Sequence, residues 1–170
     1  MILAKAGLLR QGFDDRVTTD IVPPTLFHAV GQGALAVEIR ANDEEARRLC
    51  SALTHWQTSW RCLAERACLR VLEGGCSVPV GVHTELVPVN PLEGEGKDDV
   101  AREAKLLLVG TITSLDGRHH FKQELECVVA SEKQAEALGE QVANNLIKIG
   151  GGEVLEQVAK DREQQRAVGT

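Results

Sequence analysis

The sequence predicts an α+β fold: a three-stranded antiparallel sheet with helices on one face. Three observations lead there. An amphipathic helix over residues 58–73 runs into a glycine pair and leaves as an alternating strand. A β-hairpin follows, marked by Asp116 and Gly117 between two runs that read as strands. Two further helical stretches close the chain, so strands and helices are segregated as an α+β layer arrangement requires.

Each element has its own warrant. Residues 1–12, MILAKAGLLRQG, read as the end of a helix with Leu3, Ala6 and Leu9 on one face and Gly12 as its stop. That helix opens in mid-pattern without an N-cap, which implies a preceding portion beyond this sequence. Pro23 and Pro24 mark a break before TLFHAVGQGALAVEIR. There Leu35, Val37 and Ile39 alternate with Ala34, Ala36 and Glu38 as a half-buried strand entered through Gly31, Gln32 and Gly33. Asn42 or Asp43 caps the helix DEEARRLCSAL, whose first turn carries the acids the dipole favours.

The long helix rests on Trp60, Leu63, Ala64, Ala67, Val71 and Leu72 at three- and four-residue spacing. Trp56 and Trp60 stand four apart and read as packing residues. Val78, Val80 and Val82 alternate as a strand that Pro79 confines to an edge or a strand start. Residues 91–103 are acidic and glycine-bearing without apolar period, and read as a surface loop. In the hairpin, Asp116-Gly117 is expected as a two-residue turn, with Phe121, Leu125, Cys127 and Val129 on one side and Lys122, Glu124 and Glu126 on the other. Ser131 and Gln134 form a capping box for a helix with the stripe Ala135, Leu138, Val142, Leu146 and Ile149. Residues 150–152 end it, and a last short helix frays into a polar tail.

Composition excludes several classes. The chain has 170 residues, 43% of them hydrophobic and 26% charged, which is ordinary for a globular protein. A net charge of -6 with no basic stripe argues against nucleic-acid partners and polybasic membrane binding. Apolar runs fall well short of the roughly 18 residues that a membrane span needs, and no signal-peptide layout is present, so a cytoplasmic location is expected. Five cysteines without a CxxC pair suggest neither a disulfide framework nor a zinc site, and the histidines show no metal spacing. His119 and His120 read as a solvated hairpin edge.

Cys76 sits at the helix–strand junction in LEGGCSVPVG, where Gly74 and Gly75 strip side chains from around the thiol and leave room for a bulky group. Taken alone the local pattern favours a small buried hydrophobe over a functional thiol. The GQG of residues 31–33 is likewise a tight turn on its own, since it lacks the GxGxxG continuation into a helix that a dinucleotide site requires. Arg10 lies in a last helical turn, where a cation complements the dipole.

Three stretches, AGLLRQG, HAVGQGALAVE and AERACLRVLEGGCSVPVGVHT, together resemble the porphobilinogen deaminase (hydroxymethylbilane synthase) family in order and spacing. The resemblance implies that Cys76 carries a dipyrromethane cofactor through a thioether. It implies that Arg10 contacts pyrrole carboxylates, and that Gln32 and Gly33 hydrogen-bond the cofactor. The implied reaction joins four porphobilinogen units with loss of ammonia to give hydroxymethylbilane, a precursor of haem, in a monomeric full-length enzyme. By the same resemblance residues 1–30 are the tail of an α/β domain 2, residues 31–54 a segment returning to an α/β domain 1, and residues 55–170 the cofactor-anchoring α+β domain. The catalytic aspartate would lie in the half not represented here, leaving this chain silent alone. The alternative is a noncatalytic α+β interaction module in which Cys76 is a buried thiol.

Overall fold

The computed structural model describes residues 1–72, 78–89 and 102–168. Five α-helices and three strands appear among them: α1 (Lys5–Arg10), α2 (Glu44–Ser51), α3 (Trp56–Val71), β1 (Val80–Pro88), β2 (Ala104–Thr113), β3 (His120–Val129), α4 (Glu132–Leu146) and α5 (Gly152–Val168). The sheet is antiparallel in the order β1-β2-β3. Pro79 immediately precedes the edge strand β1, where its missing N–H costs no ladder bond.

The core lies between α3, α4 and one face of this sheet. Register sets that face: Val82 is opposite Gly110, Leu86 opposite Leu106, and Leu108 opposite Leu125. Leu106, Leu108 and Ile112 of β2 are fully buried with Val82 and Val129, under Trp60, Ala64 and Cys68 of α3 and Leu138, Val142 and Leu146 of α4. Trp60 is buried and meets Trp56 edge-on, ring centroids 4.9 Å apart, so the pair does pack as its spacing predicts. Small residues allow the layers to close. A Cβ on Gly110 would meet Val142 Cγ1 at 2.9 Å and Leu146 Cδ1 at 3.0 Å.

The caps follow the sequence. Asp43 accepts the Ala46 amide at 2.9 Å, and Ser131 Oγ accepts the Gln134 amide at 3.3 Å. Gln134 Oε1 reaches back to the Ala130 amide at 2.6 Å, one residue earlier than in a standard capping box. Gly12 stops the first helix at φ 73°, although only Lys5–Arg10 of residues 1–12 is helical.

Four expectations need correction. Residues 34–40 form no strand: Leu35 is 99% and Val37 65% exposed, because no neighbouring strand among the described residues supplies the ladder their alternation calls for. The hairpin turn is not two residues long. The strand ladder ends at Thr113 and His120, the Ser114 amide still donates to the His119 carbonyl at 2.8 Å and the Gly117 amide to the Ser114 carbonyl at 2.9 Å, and Asp116 Oδ1 accepts from Ser114 Oγ at 2.5 Å and the Arg118 amide at 3.1 Å inside this longer loop. Ile149 is exposed and belongs to a π-turn rather than to the buried stripe of α4, whereas Cys127, though exposed, does share the side of Phe121, Leu125 and Val129, opposite Leu106. That turn, Ile147–Gly151, kinks at Gly150 (φ 114°), where the Phe121 ring stands 2.9 Å from the place of a Cβ. The chain then continues as a 17-residue α5, not a short helix. Gly74, Gly75 and most of the acidic stretch 91–103 lie outside the described residues.

Candidate cofactor-binding site

The GQG segment is built onto the α+β unit by its backbone. His28 and Val82 exchange amide–carbonyl bonds of 3.0 and 2.8 Å, so residues 27–30 lie along the open edge of β1. Close approach there requires Gly81, whose Cβ would stand 2.6 Å from that of Phe27. Two turns follow directly, closed by Gln32 N–H to Ala29 O and by Ala34 N–H to Gly31 O, both at 3.0 Å. Gly31 and Gly33 adopt φ 70° and 80°, conformations that residues with a Cβ rarely take.

The turn is held from below. Glu65 of α3, buried, accepts the Gly31 amide at 2.8 Å through Oε2 and the Thr84 hydroxyl at 2.6 Å through Oε1. Arg61, one turn earlier on α3, donates to Thr84 Oγ1 at 3.0 Å and to its carbonyl at 2.9 Å. On the outer side Gln32 and Gly33 are exposed, and among the described residues no atom beyond the adjoining ones lies within 4 Å of a notional Cβ on Gly31 or Gly33. The turn therefore presents an amide side chain and backbone into open space.

Gln32 lines a groove of about 1060 Å³ with Met1, Phe13, Arg16 and His28. Arg10 is exposed at the end of α1 and does not line it. Arg16, which the sequence reading passed over, does, with its guanidinium 5.8 Å from the Phe13 ring centroid. Cys76 lies outside the described residues. Of the other cysteines, burial pushes Cys68 up to about 12, with the Glu65 carboxylate adding to it, and burial also raises Cys62 and Cys127. These three are held as thiols at neutral pH and are poor nucleophiles.

Glu65, Thr84 and Arg61 were also missed. The one signal for them was a carboxylate directly beside Ala64 in the apolar stripe of the helix, with an arginine four residues before it. Among the described residues no group of three or more His, Cys, Asp or Glu side chains could hold a metal ion. No helix among them is long and apolar enough to cross a membrane.

Comparison with known proteins bears on the same segments. Residues 59–148 match the family model of the porphobilinogen deaminase C-terminal domain, and residues 1–48 match that of the porphobilinogen deaminase dipyromethane cofactor binding domain. Porphobilinogen deaminase of Schizosaccharomyces pombe is 38% identical over 168 residues, covering 99% of this chain and 47% of the relative. The enzyme of that name from a Synechococcus strain is 44% identical over 158 residues, 93% of this chain and 44% of the relative. That of Neurospora crassa is 40% identical over 166 residues, 95% and 45% respectively. The chain spans about half the length of the curated relatives it matches. With a three-stranded antiparallel α+β unit in the matched region and a glycine-turn segment in the part matching the cofactor-binding domain, the chain belongs to the porphobilinogen deaminase family.

Proposed function

We propose that this chain is the cofactor-anchoring portion of a hydroxymethylbilane synthase, a transferase of tetrapyrrole biosynthesis. The observation that carries the reading is the GQG turn, presented outward on two left-handed glycines within the segment that matches a dipyromethane cofactor binding domain. The donors present suit such a group. Planar pyrroles bearing carboxylates call for guanidinium forks and for neutral donors that orient rings without adding charge, and Arg10, Arg16, the Gln32 amide and the Gly33 N–H are of those kinds.

When bound, the dipyrromethane supplies the primer to which four porphobilinogen units are joined with release of ammonia. The chain's own residues hold and orient. Cys76 anchors through a thioether, a bond that resists hydrolysis and so survives turnover, and a soft thiolate is the suited nucleophile for forming it. Gln32 and Gly33 donate to the pyrrole framework, and Arg10 binds carboxylates. Residues 1–30 and 31–54 belong to two α/β domains and residues 55–170 to the anchoring domain. Without the catalytic aspartate the chain is silent by itself, and its place is the cytosol.

The test is Cys76→Ala in the complete enzyme. Loss of covalent pyrrole and of porphobilinogen turnover is expected. Normal activity in that variant refutes the anchor.

A further inference from the structure

A buried carboxylate is rarely the most stabilising choice for a core position, because an apolar side chain of similar volume usually serves stability as well. Glu65 is such a carboxylate, 8% exposed and next to Ala64 in the stripe that α3 turns toward the sheet. Its two oxygens serve different parts of the chain. Oε1 accepts from Thr84 on β1, inside the α+β unit, and Oε2 accepts the Gly31 amide, outside it. Thr84 Oγ1 accepts from Arg61 Nε, so its single hydrogen is left for Glu65 and the direction of the relay is fixed.

Gly31 is the entry to the turn. Its amide is bonded to Glu65 and its carbonyl accepts Ala34, so both of its polar backbone groups are fixed, one by the turn and one by α3. A Gly-Gln-Gly sequence has more backbone freedom than any other arrangement of three residues that keeps the central amide. Without an anchor, Gln32 and Gly33 would be presented in many orientations.

We propose that Glu65 is a positioning residue for the pyrrole-binding turn, fixing Gly31 so that Gln32 and Gly33 face the cofactor in one orientation. This rests on the reading of Gln32 and Gly33 given above, yet the two fail separately. Stability alone does not ask for a carboxylate at this place; orientation of the turn does.

The test is amide hydrogen exchange and proton chemical shift in the 170-residue chain, for wild type, Glu65→Leu and Glu65→Gln. Glu65→Leu is expected to speed exchange at Gly31 by about tenfold or more while Leu106 and Leu108 of β2 stay within about twofold. Glu65→Gln keeps an acceptor oxygen and should retain most of the protection, while the Gly31 amide proton moves upfield as the charge on its acceptor is lost. Because Gln keeps one acceptor oxygen of two, the oxygen stays on Gly31 only with the NH2 turned toward Thr84 Oγ1, and the shift is read at Gly31 with Leu106 and Leu108 as the internal reference. Unchanged exchange and shift at Gly31, or an equal loss of protection at Leu106 and Leu108, would overturn the proposal. Porphobilinogen added to the wild-type chain should shift the Gln32 and Gly33 amides. No shift there, with Gly31 still dependent on Glu65, would overturn the turn's role in pyrrole binding rather than Glu65's hold on it.

Discussion

Gly139 of α4 lies against the carbonyl oxygen of Ala64 on α3 with no room for a β-carbon between them. The Ala67 methyl stands 3.0 Å from the same place, so the closest approach of the two helices depends on one missing side chain. The obstacle is backbone, which does not swing aside. Gly139→Ala is therefore expected to lower stability by about 1–3 kcal/mol despite alanine's better helix propensity. Gly7→Ala is the control, since among the described residues nothing outside its own helix backbone lies within 4 Å of its Cβ position. Urea midpoints should fall for the first and hold for the second.

The Arg61–Thr84–Glu65 relay makes a second prediction. Thr84 is 2% exposed, and Thr84→Val keeps its shape while leaving Glu65 Oε1 and Arg61 Nε each short of a partner. A loss of about 1–3 kcal/mol is expected. In a Glu65→Leu background the same change should cost less, because the acceptor it would orphan is gone. Equal costs in the two backgrounds would show that Thr84 and Glu65 do not act together.

Alkaline pH should weaken the core through Cys68. Its pKa is raised from 9.0 to about 12 by burial, so folding favours the protonated thiol. The stability that follows is complete below the unfolded value and is lost as pH climbs from about 9 toward 12, at up to about 1.4 kcal/mol per pH unit. Cys68→Ala removes this dependence while costing stability through the space it leaves. The gap between wild-type and Cys68→Ala urea midpoints should narrow between about pH 8 and about pH 10.5. A constant gap would contradict the assignment.

Residues 35–40 should exchange their amides close to the unfolded rate while Val82 is protected. Leu35 and Val37 are exposed in a segment without regular structure whose apolar residues alternate, which favours association. Lysine at both positions should lower the weight-average mass in sedimentation at a given concentration. Strong protection at residues 35–39 in a monomer would show instead that the segment pairs within the chain.

Elements with local causes were readable from residues alone. The stripe of α3, the caps at Asp43 and Ser131 and the edge placement by Pro79 each depend on neighbours a few residues away, and each is where the sequence put it. Residues 34–40 show the limit, because alternation gives a strand its faces but not its partner. The hairpin turn differed because the backbone turns from Ser114 to Gly117, with Leu115 and Asp116 at its centre and the Asp116 side chain bonded to Ser114 Oγ, rather than at Asp116-Gly117 alone. At the site, two-glycine punctuation marked the turn around Gln32 and Gly33. Glu65 escaped notice because its partners, Gly31 and Thr84, are 34 and 19 residues away along the chain and no periodicity records them.

The most direct measurement of the central claim is peptide mapping of this chain, expressed in a cell that makes porphobilinogen together with the amino-terminal half of the Schizosaccharomyces pombe relative. The account predicts a mass increment of two linked pyrroles on the peptide holding Cys76, absent in Cys76→Ala. A bare Cys76 peptide, or the increment on Cys50, Cys62 or Cys127 instead, would contradict it.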